Sequence, residues 1–167
     1  MKILRPCPHE VAENVEAWGK IKSDAKDLRE LVNHGEFEGR QHHVAAIAHA
    51  QVSEEPMDFF VLHKDLEEYF GTWCVINLRI RRYGMGVVTS EEGCMSFPHR
   101  AVKNVERYAL VDVEYKVPSK LGSLKTKVMR LEGLPAFIAQ HEYDHARGKN
   151  IYYKYKSLTN TEKAMMH

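Results

Sequence analysis

Apolar side chains near the start of the chain recur at steps of three and four positions, which is typical of a helix with one buried face. The stripe predicts a helix over residues 9–34, with Pro8 in its first turn and Gly35 at its end. Its members are Val11, Val15, Trp18, Ile21, Ala25, Leu28 and Val32. We interpret this face as core packing and assign it no chemistry.

The middle of the chain carries apolar runs and alternating apolar and polar positions, which favour strands. Residues 36–41 lose the pattern and are predicted to be a loop, whereas 44–52 fit a short buried strand or a helical turn. Four strands are predicted at 58–62, 72–82, 111–117 and 124–131, with a helical turn at 65–70, a break at 83–86 and a turn at 118–123.

A second helix is predicted from about Pro135, which suits a first helical turn, to about residue 147, before Gly148. Strands dominate the middle of the chain and helices flank them. The predicted fold class is therefore α+β: mainly antiparallel β-sheets packed around this central helix, with the first helix at the N-terminus.

Composition favours an ordinary globular protein. At 167 residues, with 44% hydrophobic and 28% charged residues, we expect one soluble domain spanning 1–167. A formal net charge of +1 gives no electrostatic reason to expect nucleic acid or an anionic membrane as a partner. No apolar run is long enough to span a bilayer, and the first residues resemble no secretion signal. An odd number of cysteines (Cys7, Cys74 and Cys94) without close spacing favours a reducing compartment, the cytosol.

The candidate chemistry lies in the second predicted helix, in the stretch Gln140-His141-Glu142-Tyr143-Asp144-His145. Histidines four positions apart share one helix face, so both imidazoles can reach a single divalent metal. Glu142, beside the first histidine, is placed to take a proton from a water molecule at that metal. The alternative is a solvated helix that happens to be rich in histidine and acids. A catalytic metal site also needs a third protein ligand from elsewhere in the chain.

Cys94 is the strongest candidate for that third ligand. It lies in the stretch 91–98, where Gly93 permits an unusual backbone and Pro98 stiffens the exit. A lone cysteine is commonly a small buried hydrophobe instead. The residues by themselves leave both interpretations open.

Two motifs in the chain resemble those of the peptide deformylase family. Glu92-Gly93-Cys94-Met95-Ser96 is similar to the family's Glu-Gly-Cys-Leu-Ser, and residues 140–145 are similar to its Gln-His-Glu-x-Asp-His, with 46 residues between Cys94 and His141. Weaker similarities extend the resemblance over about residues 44–156; they are Ile76-Asn77, Val105-Glu106-Arg107 and Gly148-Lys149-Asn150-Ile151-Tyr152.

The first motif of that family, Gly-x-Gly-x-Ala-Ala-x-Gln, is matched poorly by residues 44–51. Ala48 and Gln51 are kept, but Val44 and Ala46 stand at the glycine positions and His49 replaces an alanine. This departure bears on how a substrate backbone lies against the strand. The chain ends about twenty residues after His145, so it resembles short deformylases that lack most of the C-terminal extension, such as those of some bacteriophages.

The resemblance implies a reaction and a metal. The reaction is removal of the N-terminal formyl group from formyl-methionyl nascent peptides, with release of formate. Cys94, His141 and His145 are implied to hold one divalent metal ion, with water in the fourth position. The resemblance implies Fe²⁺ in the cell and Zn²⁺, Ni²⁺ or Co²⁺ as substitutes in a purified sample, although the ligands alone would have suggested zinc.

The remaining site residues follow from the same resemblance. Glu142 is expected to act as general base, while the side-chain amide of Gln51 and the backbone N–H of Met95 meet the charge on the formyl oxygen. Positions three, four and seven residues before His141 share its helix face and are expected to hold the methionine side chain. The expected substrate contacts are Ala45, Ala46, Gly93, Leu134, Phe137 and Ile138.

Further residues near the motifs receive supporting roles or none. Arg107 is expected to be an internal partner of Glu92 that stiffens the cysteine loop. We interpret four histidines as bystanders: His42, His43, His49 and His99. Arg100 is either a contact of the peptide or a solvated arginine. The expected partners are formyl-methionyl chains at the ribosome in bacterial or phage-infected cytoplasm, and the expected state is a monomer.

Two other functions compete with this one. A metallopeptidase-like hydrolase would use the same histidines and glutamate but would take its third ligand from the chain after the helix. His167 is the only histidine in the sequence after His145. A catalytically inactive binding module would keep the metal structurally, and the altered glycine positions favour it. The role of Cys94 separates the first rival from a deformylase, and formate release separates the second.

Overall fold

The structure, a computed structural model, describes residues 12–37, 40–149 and 151. Predictions that involve Cys7, Pro8, Val11, Tyr152 and His167 lie outside these residues, and a single domain over 1–167 stays a prediction. The elements are α1 (Trp18–His34), β1 (Glu36–Phe37), β2 (Arg40–Gln41), β3 (Ala46–Ala48), β4 (Phe59–Leu62), α2 (Glu67–Phe70), β5 (Cys74–Cys94), β6 (Phe97–Pro118), β7 (Leu124–Glu132) and α3 (Leu134–His145).

The helix α1 ends as predicted and buries the part of the apolar stripe that it contains, namely Trp18, Ile21, Ala25, Leu28 and Val32. Gly35 adopts the left-handed conformation at φ 65°, and its N–H donates to the carbonyl of Leu31 at 3.0 Å. The predicted start at residue 9 is wrong for the described positions 12–17, which are not helical. Val15 is buried there, but the side chain of Asn77 pairs with its backbone N–H and carbonyl, each at 2.7 Å. That pairing satisfies the extended backbone without a helix.

Five antiparallel strands form the main sheet, in the order β3-β4-β5-β6-β7. The strands β5 and β6 make one long hairpin of 21 and 22 residues. The predicted break at 83–86 is wrong because the chain passes it as a bulge, with Met85 and Gly86 at φ 59° and 69°. The predicted loop at 36–41 is wrong for its described residues, because β1 and β2 pair there as antiparallel strands.

The core has two parts because β4, at the centre of the fold, is buried on both faces. Phe59 and Val61 pack with α1, whereas Phe60 and Leu62 pack with the cluster that includes α3. Successive side chains of a strand point to opposite faces, so those of β4 pack alternately toward α1 and toward α3. The α+β class is confirmed, with α3 packed across the sheet in contact with β3, β5, β6 and β7.

Other features of the fold follow the sequence closely. The predicted strand at 58–62, the helical turn near 65–70 and the turn at 118–123 are confirmed. For residues 44–52 the sequence allowed either a short buried strand or a helical turn. The structure contains both, because the strand β3 is followed directly by a 3₁₀ turn over His49–Gln51. Within the described part of the chain, no helix combines the length and the apolar character needed to cross a membrane.

Candidate metal centre and active site

Three side chains with metal-ligating atoms meet where the end of β5 approaches α3. Cys94 is the last residue of β5, directly before the two-residue turn Met95-Ser96, and His141 and His145 lie one helical turn apart on α3. The Sγ of Cys94 is 3.4 Å from Nε2 of His145, which is 3.0 Å from Nε2 of His141. The structure thus brings together the three residues that the two motifs single out, with their ligand atoms within 4.8 Å of one another.

The donor set suits a divalent transition metal. Tetrahedral coordination with bonds of about 2.0–2.1 Å to nitrogen and about 2.3 Å to sulfur separates ligand atoms by about 3.3–3.6 Å. The observed separations of 3.0 and 3.4 Å are close to these values. Two imidazole nitrogens facing each other at 3.0 Å, beside a buried thiol, need a shared proton or a cation between them. The residues present therefore fit a metal ion.

The three ligand side chains shift the pKa values of one another, which favours a deprotonated Cys94 and a protonated His141. Burial alone would raise the pKa of the Cys94 thiol, but His145 and His141 hold it well below its ordinary value. Burial opposes protonation of His141, yet its hydrogen bonds with Cys94 and Glu92 raise its pKa to about 9. Without a metal this describes a thiolate beside an imidazolium. A bound divalent cation would displace that imidazolium proton, so metal binding should release protons.

A buried charge network orients His141. Its Nδ1 is 2.8 Å from Oε2 of Glu92, so Nε2 is directed toward the other two ligands. Arg107 donates to both carboxylate oxygens of Glu92, at 2.8 and 2.9 Å, and from Nη1 to Asp144 at 2.7 Å. Burial would raise the pKa of Glu92, but hydrogen bonds from Arg107 and His141 lower it to about 2. The predicted pairing of Arg107 with Glu92 is present.

Sequence reasoning missed two further members of this region. Asp144 is the second carboxylate on Arg107, and no sequence signal identifies this contact because it depends on how α3 crosses β6. Gln140 holds α3 to β6, because its amide accepts from the N–H of Tyr108 at 3.0 Å and donates to the carbonyl of Tyr108 at 2.9 Å.

Glu142 lies beside the ligands and is 5% exposed. Its Oε2 has no hydrogen-bond partner among the described residues, although the atom is buried. Burial raises the pKa of this carboxyl group, while His141 and His145 act in the opposite direction. A buried acid with an unused oxygen at the wall of a cavity is suited to accept a proton from a bound molecule.

Gln51 reaches the same point from the opposite wall, at the end of the 3₁₀ turn that follows β3. Its Oε1 accepts from the backbone N–H of Ala48 at 2.9 Å. The amide nitrogen is therefore directed toward Cys94 Sγ at 3.5 Å and Ser96 Oγ at 3.2 Å. The amide of Gln51 thus presents its donor hydrogens to the metal centre.

A cavity of about 580 Å³ opens beside these groups. Its wall includes Gln51, Cys94, Met95, His141 and Glu142. All of the expected substrate contacts also line it, namely Ala45, Ala46, Gly93, Leu134, Phe137 and Ile138. Their contact with substrate stays a prediction.

The histidines interpreted as bystanders divide into groups. His42 and His43 line the cavity, so they are nearer to the site than the sequence indicated. His49 is buried and bonded to Asp24 and Met57, away from the cavity wall. The side chains of His99 and Arg100 lie outside the described part of the structure.

Known proteins with similar sequences cover this chain to different extents. The peptide deformylase of Aquifex aeolicus is 40% identical over 78 residues, 44% of this chain and 40% of that protein. The peptide deformylase of Karelsulcia muelleri is 27% identical over 131 residues, 78% of this chain and 66% of that protein. The chain therefore spans less than two thirds of the length of both relatives.

Solved structures match over a larger share. The deformylase of Vibrio parahaemolyticus bacteriophage VP16T, solved in complex with actinonin, has a TM-score of 0.70 and 30% identity. That match covers 90% of this chain and 99% of the phage chain. The Thermotoga maritima peptide deformylase has a TM-score of 0.68 and 27% identity, over 87% of this chain and 88% of that one. The family model for polypeptide deformylase matches residues 2–161, and the chain belongs to that family.

Proposed function

We propose that this protein is a metal-dependent hydrolase that removes the N-terminal formyl group from formyl-methionyl peptides and releases formate. The observation that carries the proposal is the meeting of Cys94 Sγ with the Nε2 atoms of His141 and His145 at the wall of a cavity. A metallopeptidase-like rival has no use for Cys94, whereas a deformylase needs it as third ligand. Membership of the polypeptide deformylase family supports the same choice.

We infer that Cys94, His141 and His145 hold one divalent metal, and that the cellular ion is Fe²⁺. When bound, such an ion polarises the formyl carbonyl and lowers the pKa of a water molecule toward about 7. The thiolate suits a softer transition metal, and Zn²⁺, Ni²⁺ or Co²⁺ would occupy the same ligands in a purified sample. The bond from Glu92 to Nδ1 of His141 fixes the imidazole in the tautomer that presents Nε2 to the ion.

Glu142 is the proposed general base. Its unpartnered Oε2 is available to take a proton from the attacking water, and its carboxyl group then returns the proton to the amine that leaves. Burial raises its pKa above the ordinary carboxyl value, which makes the carboxylate a stronger base at neutral pH. Such proton transfer typically contributes 10²–10⁴-fold to rate.

Gln51 and Met95 are the proposed partners of the formyl oxygen as it gains negative charge. The Gln51 amide points to the ligand group from one wall, with its other end fixed by the N–H of Ala48. Met95 follows Cys94 in the tight turn and lines the cavity. Donors that are already oriented cost no reorganisation during the reaction, and one donor is typically worth about 3 kcal/mol of barrier.

The cavity is the proposed site for the formyl-methionine residue. Phe137 and Ile138 supply apolar surface from α3, and Ala45 supplies it from the segment before β3. The strand β3 is an edge of the main sheet, and we propose that its outer edge pairs with an extended peptide near Ala46. Gly93 adds room on the other side, because a Cβ there would meet nothing within 4 Å.

We further propose that the substrates are nascent chains at the ribosome and that the enzyme acts as a monomer in bacterial or phage-infected cytoplasm. Formylated peptides arise during translation, so the reaction needs access to emerging N-termini. The near-neutral charge of +1 gives no sign of direct RNA binding. Turnover of ribosome-bound formylated chains, compared with free peptide, tests the setting.

Formate release from formyl-Met-Ala-Ser tests the proposed function. The protein is loaded anaerobically with Fe²⁺ or Ni²⁺, and metal content is measured on the same sample. We expect stoichiometric metal and formate release that stops when the metal is removed. Acetyl-Met-Ala-Ser serves as the matched control peptide. Full metal occupancy without formate would instead favour the inactive binding module.

A further inference from the structure

His49 is a buried imidazole that the proposed reaction does not use. It is 4% exposed and begins the 3₁₀ turn His49–Gln51, which follows β3 and ends at the proposed oxyanion partner. A small residue would fit the local pattern of alanines at 45, 46, 48 and 50. Placing an imidazole there requires hydrogen-bond partners inside the protein, and the fold supplies them.

Both ring nitrogens of His49 are engaged by different elements. Nε2 lies 3.0 Å from Oδ2 of Asp24 on α1, and Nδ1 accepts the backbone N–H of Met57 at 2.9 Å. Because Nδ1 accepts, the proton lies on Nε2 and points to the carboxylate. The ring also stacks on Phe59, with centroids 4.7 Å apart and planes at 21°. These three contacts fix the side chain in one orientation and one tautomer.

The backbone of His49 also holds the turn together through hydrogen bonds. The carbonyl of His49 accepts the N–H groups of Val52 and Ser53, at 3.0 and 3.1 Å. Asp24 lies between the buried residues Ile21 and Ala25 on α1, so the helix to which His49 is bound is anchored in the core. A continuous path of hydrogen bonds therefore runs from α1 through His49 to the turn.

Gln51 depends on that turn for its direction. Its Oε1 is bonded to the Ala48 N–H, one residue before His49, and its Nε2 must then reach Ser96 and the thiol of Cys94. A rotation of the turn would swing the amide away from the ligand group. Misplacing a reacting or stabilising group by about 1 Å can cost on the order of 10²-fold in rate.

We propose that His49 is a positioning residue for Gln51, and that the Asp24–His49 contact makes α1 a support of the active site. The inference rests on the proposed function, because it explains how this chain holds one of the groups that acts on the formyl oxygen. It predicts an effect on kcat through Gln51, with metal binding and KM left unchanged.

The first experiment changes the partner of His49. Asp24 is half-exposed, so Asp24→Ala should leave the fold intact while removing the acceptor for Nε2. We expect kcat for formyl-Met-Ala-Ser to fall about 3- to 10-fold, with KM within twofold and metal content unchanged. The matched control is Asp27→Ala, an exposed aspartate on the same helix, for which wild-type kinetics are expected.

A double-mutant cycle separates positioning from general destabilisation. Asp24→Ala is combined with Gln51→Ala, which removes the group being positioned. We expect Asp24→Ala to lower kcat in the wild-type background and to have no further effect in the Gln51→Ala background. An equal loss in both backgrounds, or a lower Tm with unchanged kcat, would overturn the inference. His49→Gln, whose amide reaches toward Asp24, should retain more kcat than His49→Ala.

A measurement without turnover keeps the test independent of the proposed reaction. The side-chain amide signals of Gln51 and the hydrogen exchange of the Val52 and Ser53 N–H groups are followed by NMR on the metal-loaded protein. Asp24→Ala should shift the Gln51 signals and speed exchange at both sites, and Asp27→Ala should not. Unchanged signals would refute positioning, even if the wild-type protein released formate. A wild-type protein that releases no formate would refute the proposed function, and these spectra would still decide the role of His49.

Discussion

The two walls of the cavity are held in place by different forces. The ligand wall, residues 92–95 and 141–145, is tied by ion pairs centred on the buried Arg107. The strand wall, residues 44–51, is held by neutral hydrogen bonds, by packing of Val44 and Ile47, and by His49. In the proposed reaction the ligand wall holds a cation at fixed distances, whereas the strand wall presents a backbone edge and one amide. This difference explains why the strand wall departs from the family pattern while the ligand wall matches it.

Replacing the third ligand should break the ligand wall most completely. Cys94→Ser exchanges a thiolate for a poorly ionised hydroxyl, so we expect loss of bound metal and of measurable formate release. Metal content and turnover on the same sample measure both. The control is Met95→Leu, which keeps the backbone N–H that the mechanism uses and should keep metal and most activity. Metal retained in Cys94→Ser would place the third ligand elsewhere and end the deformylase mechanism proposed above.

Glu142→Gln should separate chemistry from metal binding within the same wall. The amide keeps the shape of the side chain but cannot take a proton, so kcat should fall about 10²–10⁴-fold. Metal content should stay at the wild-type level, since Glu142 is not among the three grouped ligands. Replacing a buried carboxylate by a neutral amide removes the cost of burying a charge, so thermal stability should be equal or higher. Wild-type kcat in this variant would show that another group moves the proton.

Arg107→Leu tests whether the charge network supports the metal. It leaves the partly buried Glu92 and Asp144 without their shared buried cation, which should destabilise the fold by about 3–5 kcal/mol. Loss of the orientation of His141 through Glu92 should weaken metal affinity about 10–100-fold. Chemical denaturation and metal titration measure the two effects. Arg130→Leu breaks the exposed pair with Asp112, and an effect as large as that of Arg107→Leu would show that burial is not the cause.

Most of the ligand wall could be predicted from the sequence, because its ligands lie in two short motifs. Histidines four apart share a helix face wherever the helix lies, and the glycine-cysteine motif identifies the third ligand by resemblance. Arg107 was paired correctly with Glu92, but its second partner Asp144 was missed because that contact depends on how α3 crosses β6. Less of the strand wall could be predicted from the sequence. Nothing in the residues around His49 indicated that Asp24, 25 positions earlier, would lie beside it.

Strand lengths were also underestimated for a physical reason. The stretch 83–86 contains two glycines, and glycine weakens the interior of a strand. Here Gly86 and Met85 adopt left-handed conformations within a bulge, so β5 continues to Cys94. This continuation carries the ligand from the sheet to α3. A strand that stopped at residue 82, as predicted, would leave Cys94 on a loop of undefined position.

The pH dependence of stability is expected to give the smallest difference between the two walls. Burial lowers the pKa of His49 below its ordinary value of 6.5, although Asp24 opposes this. The unfolded chain therefore binds a proton at His49 more readily than the folded chain. Stability from this residue is present above pH 6.5 and is lost as pH falls below it.

His49→Gln removes that titration because a glutamine side chain is not ionisable. Its amide N–H can still donate to Asp24. The free energy of unfolding of the variant should fall less steeply than that of the wild type between about pH 6.5 and pH 5. Denaturant titrations at fixed salt measure the two slopes. His34→Gln, at the exposed end of α1, is the matched control substitution. Equal slopes for wild type and His49→Gln would mean that His49 has the same proton affinity folded and unfolded, and the strand wall would then be insensitive to mild acid.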